Sequence, residues 1–126
     1  VEVARQLGQE EERVFKTLVT QAASGKYYVF VIPVGEELNL KKAASAVHEK
    51  KIEMIKSKEL LPLTGYIHGG CSPIGMKKPF PTVVDETAQL WDTIIFSAGK
   101  IGYQVEVSPE NLGKIISYTF ADVTQG

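Results

Sequence analysis

Two runs near the front of the chain are rich in β-branched and aromatic residues, "RVFKTLV" (13–19) and "KYYVFVIPV" (26–34), with "QAASG" between them. This predicts a β-hairpin with a longer loop. The pattern then changes period. Leu40, Ala43, Ala44 and Val47 of "LKKAASAVHEK" share one helical face, and Asn39 stands where an N-cap belongs. "KIEMI" is too short for more than a strand. "SKELLPL" predicts one or two helical turns, with Ser57 as cap and Pro62 near the end. Strands are expected again at "TVVDE", "TIIFSA" and "YQVEV", with "TAQLW" between the first two and "GKIG" turning into the third. "SPENLGKII" begins a helix with Ser108 at N-cap and Pro109 at N1, and "YTFADV" closes as a strand. At the front, "VEVARQL" followed by Gly8 reads as a helix end.

Strands outnumber helices and several join by tight turns. The expected fold is therefore α+β, a single domain over 1–126 with a mixed, curved, barrel-like sheet and flanking helices. With 126 residues, 44% apolar and 23% charged, the chain can bury a core without disulfide or metal staples. No apolar run approaches the roughly 18 residues of a membrane span. A formal net charge of −1 provides no global field for nucleic acid, so a phosphate-rich partner needs a local basic patch. One cysteine makes no internal disulfide, which fits a cytoplasmic location. The first residue is Val inside an expected helix, so a front segment is expected to be missing.

Candidate chemistry concentrates in "TGYIHGGCSPIGMKKPFP" (64–81), which holds four glycines, three prolines, two lysines and the cysteine. Gly69 and Gly70 can turn backbone N–H groups toward an oxyanion, or they can form a structural turn. The spacing is neither a phosphate-binding P-loop nor a dinucleotide fingerprint. Cys71 reads as a small buried hydrophobe, or as a nucleophile with His68 or His48 as base. Two His and one Cys show no zinc spacing, so neither a metal nor any other cofactor is expected. Alternation places Lys16 with Val14 and Leu18, and Thr17 with Phe15 and Val19. A lysine on a mostly apolar strand either snorkels at a sheet edge or holds an anion or a carbonyl oxygen. Asp85 is a helix cap or a pocket contact, and Ser97 and Gly99 sit where a strand enters a turn. Lys77, Lys78 and Lys100 form a phosphate-facing patch if their loops meet.

"VFKTLV", "LLPLTGYIHGGCSPIGMKKPFPTVVDE", "FSAGKIGYQVEV" and "SPENL", in this order, resemble the YbaK/EbsC-type aminoacyl-tRNA deacylases. That family is related to the editing insertion domain of bacterial prolyl-tRNA synthetases, and the resemblance runs from about Gln6 to Val123. It implies hydrolysis of the ester of a mischarged tRNA, most closely Cys-tRNA(Pro). The family's lysine falls on Lys16, its GxxxP substrate loop on Gly69, Gly70, Cys71, Ser72 and Pro73, and its pocket serine on Ser97. Thr17 lines the same site. The implied partners are aminoacylated tRNA, at its acceptor end, and prolyl-tRNA synthetase.

Two departures stand out. The family's N-terminal segment, with an aromatic that covers the pocket, is expected to be missing, which leaves that wall of the pocket unassigned. Gln104 replaces an acid in the strand after "GKIG", which leaves the amino-acid preference open. The implied mechanism positions the ester with Lys16 and stabilises the oxyanion at Gly69 and Gly70, with no protein nucleophile. The alternatives are a deacylase for another small amino acid such as alanine, and a non-catalytic module that docks tRNA or a synthetase.

Overall fold

The computed structural model describes residues 13–66, 71–76, 80–99 and 103–125. The expected helix end at Gly8 lies outside them. Strands β1 (Phe15–Ala22) and β2 (Tyr27–Pro33) form the expected hairpin, antiparallel from Phe15↔Pro33 to Gln21↔Tyr27. They are followed by α1 (Leu40–Ala46), β3 (Ile52–Met54), α2 (Ser57–Thr64) and β4 (Thr82–Asp85). A 3₁₀ turn (Glu86–Leu90), β5 (Ile94–Ser97), β6 (Gln104–Val107), α3 (Pro109–Ile115) and β7 (Tyr118–Ala121) complete the chain.

The five-stranded sheet has the order β3-β1-β2-β4-β7, and β5 pairs with β6 in a separate ribbon. Pairing is antiparallel around β1 and parallel from β2 through β4 to β7, so the sheet is mixed. It is not closed. It stops at β3 on one side and β7 on the other, which corrects the barrel-like expectation. Alternating residues reveal which face is buried but not which strand is the hydrogen-bonding neighbour, and closure depends on the neighbour.

Both faces of this sheet are covered. Phe15, Val19, Val29, Val31 and Val84 pack with Leu60, Cys71, Ile94, Phe96 and Leu112 on one side. Phe30, Ile32 and Val83 pack with Leu38, Ala43, Ala44, Ile52 and Val123 on the other. Hence β2 is buried continuously from Tyr28 to Pro33. A strand between two covered faces is selected for an unbroken apolar run, not for alternation. The small side chains of Ala43 and Ala44 let α1 approach the second face closely.

The caps explain the helix boundaries. The Asn39 side chain accepts from the N–H groups of Lys41 and Lys42, both at 3.0 Å, and Ser108 accepts from Asn111 N–H at 3.0 Å. Each such cap contributes about 1 kcal/mol. For α2 the expected cap shifts by one residue, because Lys56 is the N-cap and Ser57 the first helical residue. The Lys56 side chain has no acceptor to offer, but its backbone N–H is taken by the Glu59 carboxylate at 2.9 Å. The helix α1 ends at Ala46, short of the expected run to Lys50. His48 adopts φ 60, and its N–H bonds Ser45 O while Glu49 N–H bonds Ala44 O, a Schellman closure without glycine. His48 is thereby explained by the fold.

Two further contacts hold the fold. Glu49 accepts from Tyr28 Oη at 2.6 Å and Ser24 Oγ at 3.0 Å, tying the hairpin turn to the end of α1. The Tyr28 hydrogen bond in particular lowers the Glu49 carboxyl from its ordinary value. Asp85 is fully buried, and its carboxylate accepts from Thr87 Oγ1 (2.6 Å), Thr87 N–H (3.2 Å) and Val123 N–H (3.1 Å).

Asp85→Ala should cost about 2–3 kcal/mol of unfolding free energy in urea titration, since it strands three donors. A small shift in the midpoint alongside a loss of activity would instead make Asp85 a substrate contact. For Glu49, the lowered carboxyl stabilises the fold above the ordinary value of 4.5, and that contribution is lost as pH falls through its folded value. The stability difference between wild type and Glu49→Gln should therefore be present at neutral pH and close in acid. A difference independent of pH would refute this assignment.

Candidate functional site

The residues of the site are brought together by pairing, not by proximity in the chain. Val14 forms a parallel bridge with Ile95, which joins the start of β1 to β5. Lys16 and Ser97 each lie two residues further along, on the same side of their strands as that bridge. Ser97 is in turn the cross-strand partner of Gln104. Lys16, Ser97 and Gln104 thus form a row on one face, across β1, β5 and β6. Thr17 points to the opposite face, toward the cluster that contains Phe15 and Val19.

Among the described residues, two polar side-chain atoms are buried without a hydrogen-bond partner, Gln104 Oε1 and Thr17 Oγ1. Leaving a buried polar atom unmatched costs about 1–3 kcal/mol. Lys16 is half-buried, and among the described residues no carboxylate lies within ion-pair reach of its ammonium. The row therefore offers a cation at one end and an unused acceptor at the other.

A latch holds the ribbon in place, and sequence reasoning missed it. Arg13 Nη2 contacts Thr93 Oγ1 and lies 2.6 Å from Glu106 Oε2, while Thr93 Oγ1 donates to the same carboxylate oxygen at 2.5 Å. Arg13 Nε also reaches the Thr93 carbonyl at 3.4 Å. Glu106 shares the face of Gln104 in β6, a placement that alternation in "YQVEV" does encode. Its partner is remote in sequence, which no local pattern encodes.

The second part of the site is the loop after α2. Gly69 and Gly70 lie outside the described residues, as do His68, Lys77, Lys78 and Lys100. Cys71 is buried in the first cluster, and burial pushes its thiol up to about 11, against a smaller opposing effect of Thr64. A thiol so placed is neutral at physiological pH and is a poor nucleophile. Ser72 is buried too, and its Oγ accepts from Ile74 N–H at 3.2 Å. Pro73 lines a cavity of about 340 Å³ with Gly75, Met76, Phe80, Pro81 and Ile115.

This cavity is not where Lys16 stands. Its wall at Thr82 pairs with Val29, whereas Lys16 pairs with Ile32, about 10 Å further along β2. Gly99 connects the two regions. Its φ of +100 requires glycine, its N–H lies 3.3 Å from Ser97 Oγ, and it approaches the Tyr66 ring closely. Asp85, already engaged by Thr87 and Val123, serves as the cap of the 3₁₀ turn. Among the described residues no group of three His, Cys, Asp or Glu could hold a metal, and no helix is long and apolar enough to cross a membrane.

A sequence model of the aminoacyl-tRNA editing domain matches residues 1–115. EbsC of Enterococcus faecalis, named as a candidate Cys-tRNA(Pro)/Cys-tRNA(Cys) deacylase, is 52% identical over 97% of this chain and 74% of its own length. The crystal structure of a candidate trans-editing enzyme for prolyl tRNA synthetase superposes with a TM-score of 0.88 at 27% identity, covering 99% of this chain and 78% of that one. The chain belongs to the family of aminoacyl-tRNA editing domains.

Proposed function

We propose that this protein is an aminoacyl-tRNA deacylase that edits in trans, with Cys-tRNA(Pro) as its substrate. The observation that carries this reading is the row of Lys16, Ser97 and Gln104, with a buried amide oxygen unmatched at one end and a half-buried lysine at the other. The name of the Enterococcus faecalis relative supports the choice of cysteine.

An aminoacyl ester is already activated, so catalysis reduces to holding it and stabilising charge on its carbonyl oxygen. Lys16 holds the phosphate or ribose of the terminal adenosine, and Gln104 and Ser97 receive polar groups of the aminoacyl moiety. Backbone N–H groups at Gly69 and Gly70 stabilise the oxyanion. Water, or a group of the substrate itself, adds to the carbonyl carbon. Collapse of the adduct breaks the bond to the ribose oxygen, which leaves with a proton. No side chain of the protein is a nucleophile, and the neutral thiol of Cys71 is consistent with that. In this reading Gly99 borders the pocket at the Ser97 turn, Ser72 and Pro73 shape the loop that follows Gly69 and Gly70, and Thr17, on the opposite face of β1, and Asp85 support the site from behind.

The test is hydrolysis of Cys-tRNA(Pro), Ala-tRNA(Pro) and Pro-tRNA(Pro) by wild type and variants. Lys16→Ala should lower kcat/KM for the cysteinyl ester about a hundredfold or more. Cys71→Ser, or Cys71→Ala where a buried hydroxyl unsettles the core, should stay within about threefold of wild type, as expected for a thiol outside the chemistry. Loss of turnover in both Cys71 variants would point to a thiol hydrolase. Preference for the alanyl ester would reassign the substrate, and binding without turnover would make this a docking module.

Recognition of the tRNA body is weak in this reading, because phosphate contacts dominate such affinity and the net charge is only −1. Prolyl-tRNA synthetase supplies the missing grip. Equilibrium binding of uncharged tRNA to the isolated protein should fall in the micromolar range or weaker at physiological salt. Nanomolar binding under those conditions would remove the need for the synthetase.

A further inference from the structure

Tyr66 has no part in the mechanism above, yet it touches both halves of the site. Its phenol donates to the Ile74 carbonyl at 2.5 Å. A Cβ at Gly75 would lie 2.9 Å from Tyr66 Oη, and a Cβ at Gly99 would lie 2.9 Å from Tyr66 Cε1. Both distances are shorter than real side-chain contacts, so the two glycines let the ring come close. Both glycines also have positive φ, +75 and +100, so substituting either would carry backbone strain too.

The root of Tyr66 is fixed as well. Its N–H donates to Thr64 Oγ1 at 3.0 Å, and Thr64 Oγ1 donates to Leu60 O at 2.8 Å, anchoring it to the end of α2. The ring packs on the first cluster, the one that includes Cys71. From this anchor the ring edge meets the turn that carries Ser97, and the hydroxyl meets the loop that carries Ser72 and Pro73. Ser72 Oγ accepts from Ile74 N–H and Ser97 Oγ from Gly99 N–H, so each loop's own turn is built around the residue that Tyr66 touches or its neighbour.

We propose that Tyr66 is a positioning residue, a strut that sets the spacing between the Ser72–Ile74 loop and the Ser97–Gly99 turn. This rests on the deacylase reading, because that reading puts aminoacyl contacts at Ser97 and the oxyanion donors at Gly69 and Gly70, which lead in sequence to Ser72. The ring supplies the separation and the hydroxyl the orientation of the loop backbone. Burial raises the phenol's pKa, so the hydroxyl remains a donor throughout the working pH range. A strut of this kind acts on the rate of the bound ester more than on the affinity for tRNA.

The test compares wild type, Tyr66→Phe and Tyr66→Leu in the whole chain, by steady-state hydrolysis of Cys-tRNA(Pro), thermal melting and backbone amide NMR. Tyr66→Phe keeps the ring and should lower kcat about tenfold, with KM and the melting midpoint nearly unchanged. Tyr66→Leu removes the ring edge and should lower kcat about a hundredfold. In both variants the amide signals of Ser72 and Ile74 should shift together with those of Ser97 and Gly99. Wild-type kcat in Tyr66→Phe, or amide shifts confined to Ser72 and Ile74, would overturn the proposal and leave Tyr66 as a packing residue. If wild type hydrolyses none of the three esters, the deacylase reading fails on its own. The amide pattern then decides the strut, with shifts at both segments supporting it and shifts at one overturning it.

Discussion

The bridge between Val14 and Ile95 is the joint on which the rest of the site depends. It connects the five-stranded sheet to the β5–β6 ribbon, and every relation among Lys16, Ser97 and Gln104 is measured from it. A single bridge has little strength in hydrogen bonds. Its strength is apolar, since Val14 and Ile95 are 2% and 4% exposed and pack with Val34. Burying each such side chain is worth about 1.5–3 kcal/mol, whereas an exposed ion pair contributes about 1 kcal/mol or less. The latch of Arg13, Thr93 and Glu106 is thus secondary in energy. Its value is directional, because a polar contact fixes an angle that packing alone leaves loose.

What the sequence disclosed follows the range over which each signal acts. Caps and hairpins are local, and Asn39, Ser108 and the β1–β2 pairing were legible from a few neighbouring residues. The end of α1 was not, because His48 adopts a left-handed conformation that glycine would have advertised. The order of the strands was not legible either. Alternation in β1 and β5 shows two faces each, but says nothing of their meeting in parallel at Val14 and Ile95. For the site, Lys16, Ser97 and Gln104 were singled out by type and by resemblance to a known family. Their alignment in one row needed the pairing.

The polar groups of the region divide according to what the fold has already done with them. Asp85 looked equally suited to a pocket, but three donors occupy its carboxylate. Cys71 read as a small buried hydrophobe with a nucleophile as the alternative, and burial, which pushes its thiol up to about 11, favours the first. Ser72 and Ser97 each accept a turn N–H, and each hydroxyl keeps its own proton to donate. By contrast, Gln104 Oε1 and Thr17 Oγ1 are desolvated and unmatched. A buried polar atom left unmatched has its cost recovered when a ligand matches it, whereas a satisfied one gains little. Motif membership did not separate these cases. The hydrogen-bond environment does.

Glutamine at position 104 then has a consequence for Lys16. The two residues stand about two strand spacings apart, on the order of 10 Å. A carboxylate at 104 would attract the ammonium across that gap by about 1.7 kcal/mol at an effective dielectric near 20. It would also repel the phosphate that Lys16 is proposed to hold. The amide removes both effects and keeps an oxygen that can accept a hydrogen bond. In a protein whose net charge is only −1, a local cation with no carboxylate opposing it along its own row is suited to the proposed hold on an anionic acceptor end. Under the proposed mechanism, the neutral residue would give up a strong contact to the amino group of the substrate for a stronger hold on its phosphate. Such an exchange suits an editing site that must accept a small aminoacyl group while depending on the tRNA end for its grip.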